Sequence, residues 1–152
     1  MIEMQIDNRL VGATAENIFL SLMNEEGIFA HSFDTAGFDG IVFDIHNKYF
    51  KVGKSLFFVQ IKCRGSPDEN YHPQGHSQLT FDKISTIGEE LQIPETSLYI
   101  VVGFFKNNDI RQMNYYVVPF SSLSKFEKNG NYRFSPPKCE EAMLSDSNIK
   151  SI

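Results

Sequence analysis

The sequence predicts a mixed α/β fold of the α+β kind, with helices flanking a central mixed sheet in the order α-β-β-β-α-β-β. Three observations carry that expectation. Ala15, Ile18, Phe19, Leu22 and Met23 recur at helical spacing. Leu56 to Cys63 alternates, with Phe57, Val59, Ile61 and Cys63 on one face and Phe58, Gln60 and Lys62 on the other. A second helical stripe, Ile84, Ile87 and Leu91, then separates these first strands from two further β-rich segments.

Taken in order, the first helix is expected from Thr14, a candidate N-cap, to about Asn24, with Gly27 ending it. Ile28 to Phe33 reads as a short strand, and Asp34-Thr35-Ala36-Gly37 as a turn. Phe38 to Ile45 reads as a second strand, followed by a turn near His46-Asn47 or Val52-Gly53-Lys54. Arg64 to Gly75 carries two prolines and two glycines and reads as a loop before a helix from about Ser77 to Gln92. Strands are expected over Ser97–Phe105 and Met113–Val118. Pro119 stops the second of them, and Ser121 or Ser122 caps a short helix through Phe126. No internal repeat or Ser/Gly linker divides residues 1–152, which read as one domain; the polar, Pro-interrupted stretch from Glu127 to the end receives no firm element.

A chain of 152 residues and 17.4 kDa with 41% hydrophobic residues can bury a sizeable core. No apolar run is long enough to cross a bilayer, and Met1 to Asp7 lacks the pattern of a secretory signal. Two cysteines, Cys63 and Cys139, rule out a disulfide framework and fit a reducing cytoplasm. The net charge of −5 and pI near 5.3 argue against a generic nucleic-acid coat, which would be basic. They leave room for a local cleft that binds DNA with a divalent metal in it.

Glu16 in the first helix, Asp39 at the start of the second strand and Gln60-Ile61-Lys62 on the third are the residues with chemistry to offer. Hydrolysing a phosphodiester calls for a hard cation held by oxygens and a group that steadies the attacking water or the developing charge. These residue types suit that task. Each also has a plainer reading: Glu16 as a first-turn acid, Asp39 beside Gly40 as turn chemistry, Lys62 as an edge-strand guard, Gln60 as a solvated side chain. Asp44, by strand parity, falls on the face opposite Asp39 and reads as a hairpin residue.

Three stretches taken together resemble a known family. Val11-Gly12-Ala13-Thr14-Ala15-Glu16-Asn17-Ile18-Phe19, Ala36-Gly37-Phe38-Asp39-Gly40-Ile41 and Phe58-Val59-Gln60-Ile61-Lys62-Cys63-Arg64 look like the PD-(D/E)XK nuclease superfamily. Within it they are most similar to the Mrr-like restriction-endonuclease branch, whose third strand often reads Q-x-K. The resemblance covers residues 11–65 and implies a restriction-endonuclease-like core across a nuclease-like domain. It implies Asp39 as principal ligand of Mg²⁺ or Mn²⁺, the Gln60 side-chain oxygen as second and the Ile61 carbonyl as third. Lys62 would orient water or stabilise charge on the phosphate, and Glu16 would reach the metal through water or a second ion. The expected activity is metal-dependent endonuclease cleavage of nucleic acid, DNA above all. A homodimer suits cutting of both strands.

Other readings stand beside it. A neutral amide binds Mg²⁺ more weakly than a carboxylate, so a non-catalytic nuclease-fold module that binds nucleic acid or a protein partner is the alternative. A small-molecule phosphohydrolase is a third. Lys48, Lys51, Lys54, Lys62 and Arg64 form a local basic group, and with His72 and His76 they are candidates for a phosphate-facing rim; a solvated hairpin explains them equally. Cys63, His72, His76 and Cys139 have zinc-ligand chemistry, but Pro73 and Gly75 deny His72 and His76 a common helix face. Tyr71 and Tyr132 are placed in loops where bases could stack, whereas Phe57, Phe104 and Tyr116 belong to the core.

Overall fold

A computed structural model describes residues 8–35, 38–50, 54–66, 76–106, 113–128, 131–132 and 145–152. The first helix, α1, runs over Asn8–Glu25 and so begins well before Thr14. Nothing between Asn8 and Thr14 breaks a helix, and each added residue closes another hydrogen bond once a nucleus exists. Gly27 takes a left-handed conformation, φ 78°, just after the helix end. Its N–H donates to Asn24 O at 3.1 Å and that of Ile28 to Met23 O at 2.9 Å, the paired bonds of a Schellman cap.

Strands β1 (Phe29–Thr35), β2 (Phe38–Phe43) and β3 (Leu56–Ser66) form an antiparallel meander. A two-residue strand, β4 (His76–Ser77), leads into α2 (Gln78–Glu90), and a 3₁₀ turn (Glu95–Ser97) opens β5 (Leu98–Lys106). Because α2 carries the chain back, β5 lies parallel to β3, in step from Phe58↔Leu98 to Ser66↔Lys106. β6 (Asn114–Pro119) returns antiparallel. A second 3₁₀ segment (Phe120–Phe126), β7 (Glu127–Lys128), β8 (Asn131–Tyr132) and β9 (Lys150–Ser151) follow. The main sheet has six strands in the order β1-β2-β3-β5-β6-β9, with a small sheet β4-β8-β7 beside it.

The expected mixed sheet with flanking helices is therefore present, and several details differ. β3 runs three residues beyond Cys63, because pairing with β5 continues past that point. Pro119 is the last residue of β6 and itself precedes the 3₁₀ segment, for which neither Ser121 nor Ser122 is the cap. Leu91 lies just past the end of α2 and is 55% exposed, so it leaves the stripe that Ile84 and Ile87 maintain. Tyr132 belongs to a strand, not a loop. The C-terminal stretch, without firm elements in the sequence, supplies β9 at the sheet edge, where Ile152 N–H donates to Tyr115 O at 2.8 Å.

Both faces of the sheet are covered. Phe19, Leu20 and Met23 of α1 pack on Val42, Phe57, Val59, Ile61, Tyr99, Val101 and Tyr115. On the other face Ile84 of α2 meets Phe38 and Leu98, while Leu123, Phe126 and Ile149 close over Ile100, Val102, Phe104, Tyr116 and Val118. Burial of alternate residues along central strands supplies most of the favourable free energy. Phe57, Phe104 and Tyr116 are all core, as their patterns predict.

Two buried carboxylates organise the connections. Asp44 is fully buried, and its Oδ2 accepts the Tyr49 and Phe50 amides at 2.9 and 3.1 Å, which makes it a hairpin residue. Asp146 accepts Lys125 Nζ at 2.6 Å and the Asn148 amide at 2.9 Å, fastening the C-terminal segment to the second 3₁₀ segment. The Lys125 ammonium, then the Asn148 amide, hold the Asp146 carboxyl below its ordinary value. A lowered folded-state pKa contributes stability above the unfolded value and loses it as pH falls through the folded one. Asp146→Asn is expected to cost on the order of 1 kcal/mol at pH 7. In urea titrations that gap should close as the pH drops below the usual aspartate range.

Candidate functional site

The site is built where two strands separate. The β2–β3 ladder pairs Phe43↔Leu56, Val42↔Phe57, Ile41↔Phe58 and Gly40↔Val59, and it ends there. Beyond Gly40 the Ile61 N–H is met by a side chain: Asp39 Oδ2 accepts it at 2.7 Å. In an antiparallel ladder a residue directs its N–H and C=O toward the same neighbour. The Ile61 carbonyl therefore emerges on the side where Asp39 sits.

Alternation completes the group. The Ile61 side chain is buried in the α1 core, so Gln60 and Lys62 project to the other face. Asp39 is placed here by its bond to the Ile61 amide: the ladder stops at Gly40↔Val59, and Phe38 lies in the α2-side cluster although Gly40 faces α1, so simple alternation does not run through Asp39. Gln60 is 7% exposed, which rules out a solvated side chain, and among the described residues its Oε1 is buried without a hydrogen-bond partner. Leaving such an acceptor unsatisfied costs about 1–3 kcal/mol. Lys62 is half-buried.

Asp39-Gly40 is strand, not turn. A Cβ on Gly40 would lie 3.3 Å from Leu20 Cδ2, from Val59 Cγ2 and from the His31 carbonyl oxygen, so a hydrogen atom there lets α1 approach. Leu20 thus marks the level of Val59. Nearer the start of α1, Ala15 O accepts the Tyr115 hydroxyl at 2.7 Å; Tyr115 pairs with Gly103, and Gly103 with Cys63. Glu16 lies in α1 next to Ala15, on the helix over the other face. Neither the Asp39–Ile61 bond nor the close approach at Gly40 is legible in local pattern, since both arise from pairing between distant segments.

Of the expected basic rim, Lys48 and Lys54 lie away from this point. Lys48 Nζ lies 3.4 Å from Glu26 Oε1, which also accepts the Tyr49 hydroxyl at 2.7 Å. Burial, then that bond, pushes the Tyr49 phenol up to about 12. The Lys54 carbonyl accepts the Asn47 side-chain amide. Both lysines therefore belong to the hairpin beyond Phe43↔Leu56, five residues and about 17 Å along the strand from Ile61. Arg64 is in β3 and His76 in β4, but their side chains, with those of Cys63 and Tyr132, lie outside the described residues, as do Lys51, Tyr71, His72 and Cys139. Among the described residues no three His, Cys, Asp or Glu side chains gather as metal ligands. A cleft of about 750 Å³ lies elsewhere, lined by Phe50, Tyr99, Phe120 and Lys150 among others, and includes none of Glu16, Asp39, Gln60 or Lys62.

No family model and no curated protein matches the chain. Among solved structures it is similar to Hjc, a Holliday junction resolvase from the archaeal hyperthermophile Archaeoglobus fulgidus. The two share 13% identity over 80% of each chain, with a TM-score of 0.49.

Gln60→Leu offers a direct check on the buried amide. It removes an unsatisfied acceptor at similar volume and is expected to raise stability by roughly 1 kcal/mol in urea unfolding. An unchanged or lower midpoint would mean that the amide is already satisfied.

Proposed function

We propose that the chain is a metal-dependent endonuclease of the restriction-endonuclease-like kind, hydrolysing phosphodiester bonds of nucleic acid, DNA in particular. Gln60 Oε1, buried and unpartnered among the described residues and one residue from the amide that Asp39 binds, carries this reading. An acceptor kept dry without a donor is suited to a cation. The residues fit one. A carboxylate offers about four acceptor positions, so the Ile61 amide does not exhaust Asp39. Asp39, Gln60 Oε1 and the Ile61 carbonyl form an all-oxygen set suited to Mg²⁺ or Mn²⁺. The element order and the three motif stretches support the same reading.

In this arrangement Asp39 supplies charge, while Gln60 and Ile61 supply neutral oxygens whose placement β3 fixes. The bound ion would act as Lewis acid on the phosphate. The Lys62 ammonium orients the attacking water or stabilises negative charge growing on the phosphate oxygens. Glu16 would serve through water or a second ion. The usage of cysteine fits a reducing compartment such as the cytoplasm.

The second reading is a non-catalytic module on the same scaffold. An amide in place of a ligand carboxylate and the net charge of −5 favour it.

Incubation with supercoiled plasmid, single strands and RNA separates the two. Cleavage is expected only with Mg²⁺ or Mn²⁺, and Asp39→Ala or Lys62→Ala should lower it by at least about a hundredfold. Gln60→Glu should tighten Mn²⁺ binding by roughly tenfold in calorimetry, since ligand charge sets affinity. Metal-dependent cleavage that survives intact in Lys62→Ala would remove that residue's role. Absence of cleavage on every substrate would leave the binding module.

A further inference from the structure

The face of the sheet opposite α1 is covered unevenly. Across β1, β2 and β3, Phe33, Phe38 and Phe58 sit in one cluster with Ile84 and Ile87 of α2. At the hairpin end the row is Phe29, Phe43 and Leu56, paired strand to strand. These three are 56%, 40% and 38% exposed, and Ile45 just beyond is 73% exposed. The neighbouring row on the α1 side, Ala30, Val42 and Phe57, is buried. The strands are therefore well formed here, and among the described residues no element packs over this end of the face opposite α1. Phe29 and Phe43 meet edge to face at 6.1 Å, and Phe29 stacks on His31 at 6.3 Å, so the rings form a continuous surface. The bare row exposes on the order of 400 Å² of apolar surface, as large as functional patches on monomers become.

This patch adjoins an open edge. β1 is the terminal strand of the six-stranded sheet, so one side of its main chain is unpaired within the sheet. Its sequence, Phe29-Ala30-His31-Ser32-Phe33-Asp34-Thr35, contains neither the proline nor the lysine that commonly blunts an edge. Pairing with β2 is regular from Phe29 to Ser32, before the shift between Ser32 and Thr35.

We propose that two copies of this chain associate here about a two-fold axis, their β1 strands pairing antiparallel and their bare aromatic rows merging. Antiparallel pairing of a strand with its own copy is self-complementary, as a two-fold contact requires. The patch alone falls short of the roughly 600–800 Å² per partner of a stable interface; the strand edge and its rim supply the remainder. A foreign strand could satisfy the edge, but a second copy also brings an apolar row at the matching offset. The merger fixes the register. Rows on the same face meet only when odd positions oppose odd positions, which sets Phe29 opposite His31 or His31 opposite itself.

The inference stands apart from the nuclease reading, and sedimentation equilibrium of the whole chain tests it. Between about 1 and 100 μM protein the mass should approach twice 17.4 kDa. Phe43→Lys and Ile45→Lys should each weaken association at least tenfold. Leu91→Lys, equally exposed but outside the patch, should not. Ile45 is exposed enough that its variant folds, which circular dichroism verifies. His31→Cys should cross-link across the axis with a short bis-maleimide, above the level given by the wild-type cysteines. A monomer throughout the range overturns the proposal, as does a dimer that both patch variants leave intact. A dimer without the His31→Cys cross-link overturns the strand pairing.

Discussion

One hydrogen bond, from the Ile61 amide to the Asp39 carboxylate, fixes the geometry on which the site depends. A β-ladder has no intrinsic stopping point, and where it stops a main-chain donor and acceptor are left to be satisfied. Here a carboxylate takes the donor in place of the next residue of β2. The carbonyl of the same residue, Ile61, stays on that side. Local backbone accounting thus places a carboxylate and the Ile61 carbonyl on one edge of β3, with Gln60 and Lys62 as the flanking residues of that strand. Rigid strands hold such groups better than loops do.

Charge is compatible with the proposed site in an acidic chain. Asp39 and Glu16 contribute two negative charges and Lys62 one positive charge, so the proposed group is anionic when empty. A divalent ion reverses its sign, giving a locally cationic point in a protein of net charge −5. Gln60 alters the balance, because an amide donates an oxygen without donating charge. The loaded group is then one charge more positive than it would be with a glutamate, which favours an anionic ligand and disfavours the ion. Affinity for metal and attraction for phosphate are thereby set against each other at one position.

The alternation of Leu56 to Cys63 was enough to read the central strand and the shared face of Gln60 and Lys62, because a period of two survives any later packing. The helix stripes at Phe19–Met23 and Ile84–Ile87 were legible for the same reason. What local pattern could not show was where pairing ends. Asp39-Gly40 has the composition of a turn, yet Gly40 lies in a strand, paired with Ser32 on one side and Val59 on the other. Lys48 and Lys54 are near the site in sequence and remote from it in space, because the β2–β3 meander carries them to the far end of the ladder. β9 is two residues long and acquires its identity only from β6, so no sequence window would have revealed it.

The two ends of β2 and β3 are consequently different kinds of surface. At one end the strands part beside Asp39 and the buried Gln60; at the other the hairpin is tied by Asp44 while the face opposite α1 is exposed. About 17 Å of paired strand separates them, beyond the range at which substitutions usually couple. Between the two ends α2 covers Phe33, Phe38 and Phe58, so neither region can spread into the other. Pairing through β1 would extend the sheet from its edge, leaving the opening between β2 and β3 one strand away and unobstructed. Chemistry at the opening and association at the edge thus place separate demands on the sequence, and either can change without rebuilding the core they share.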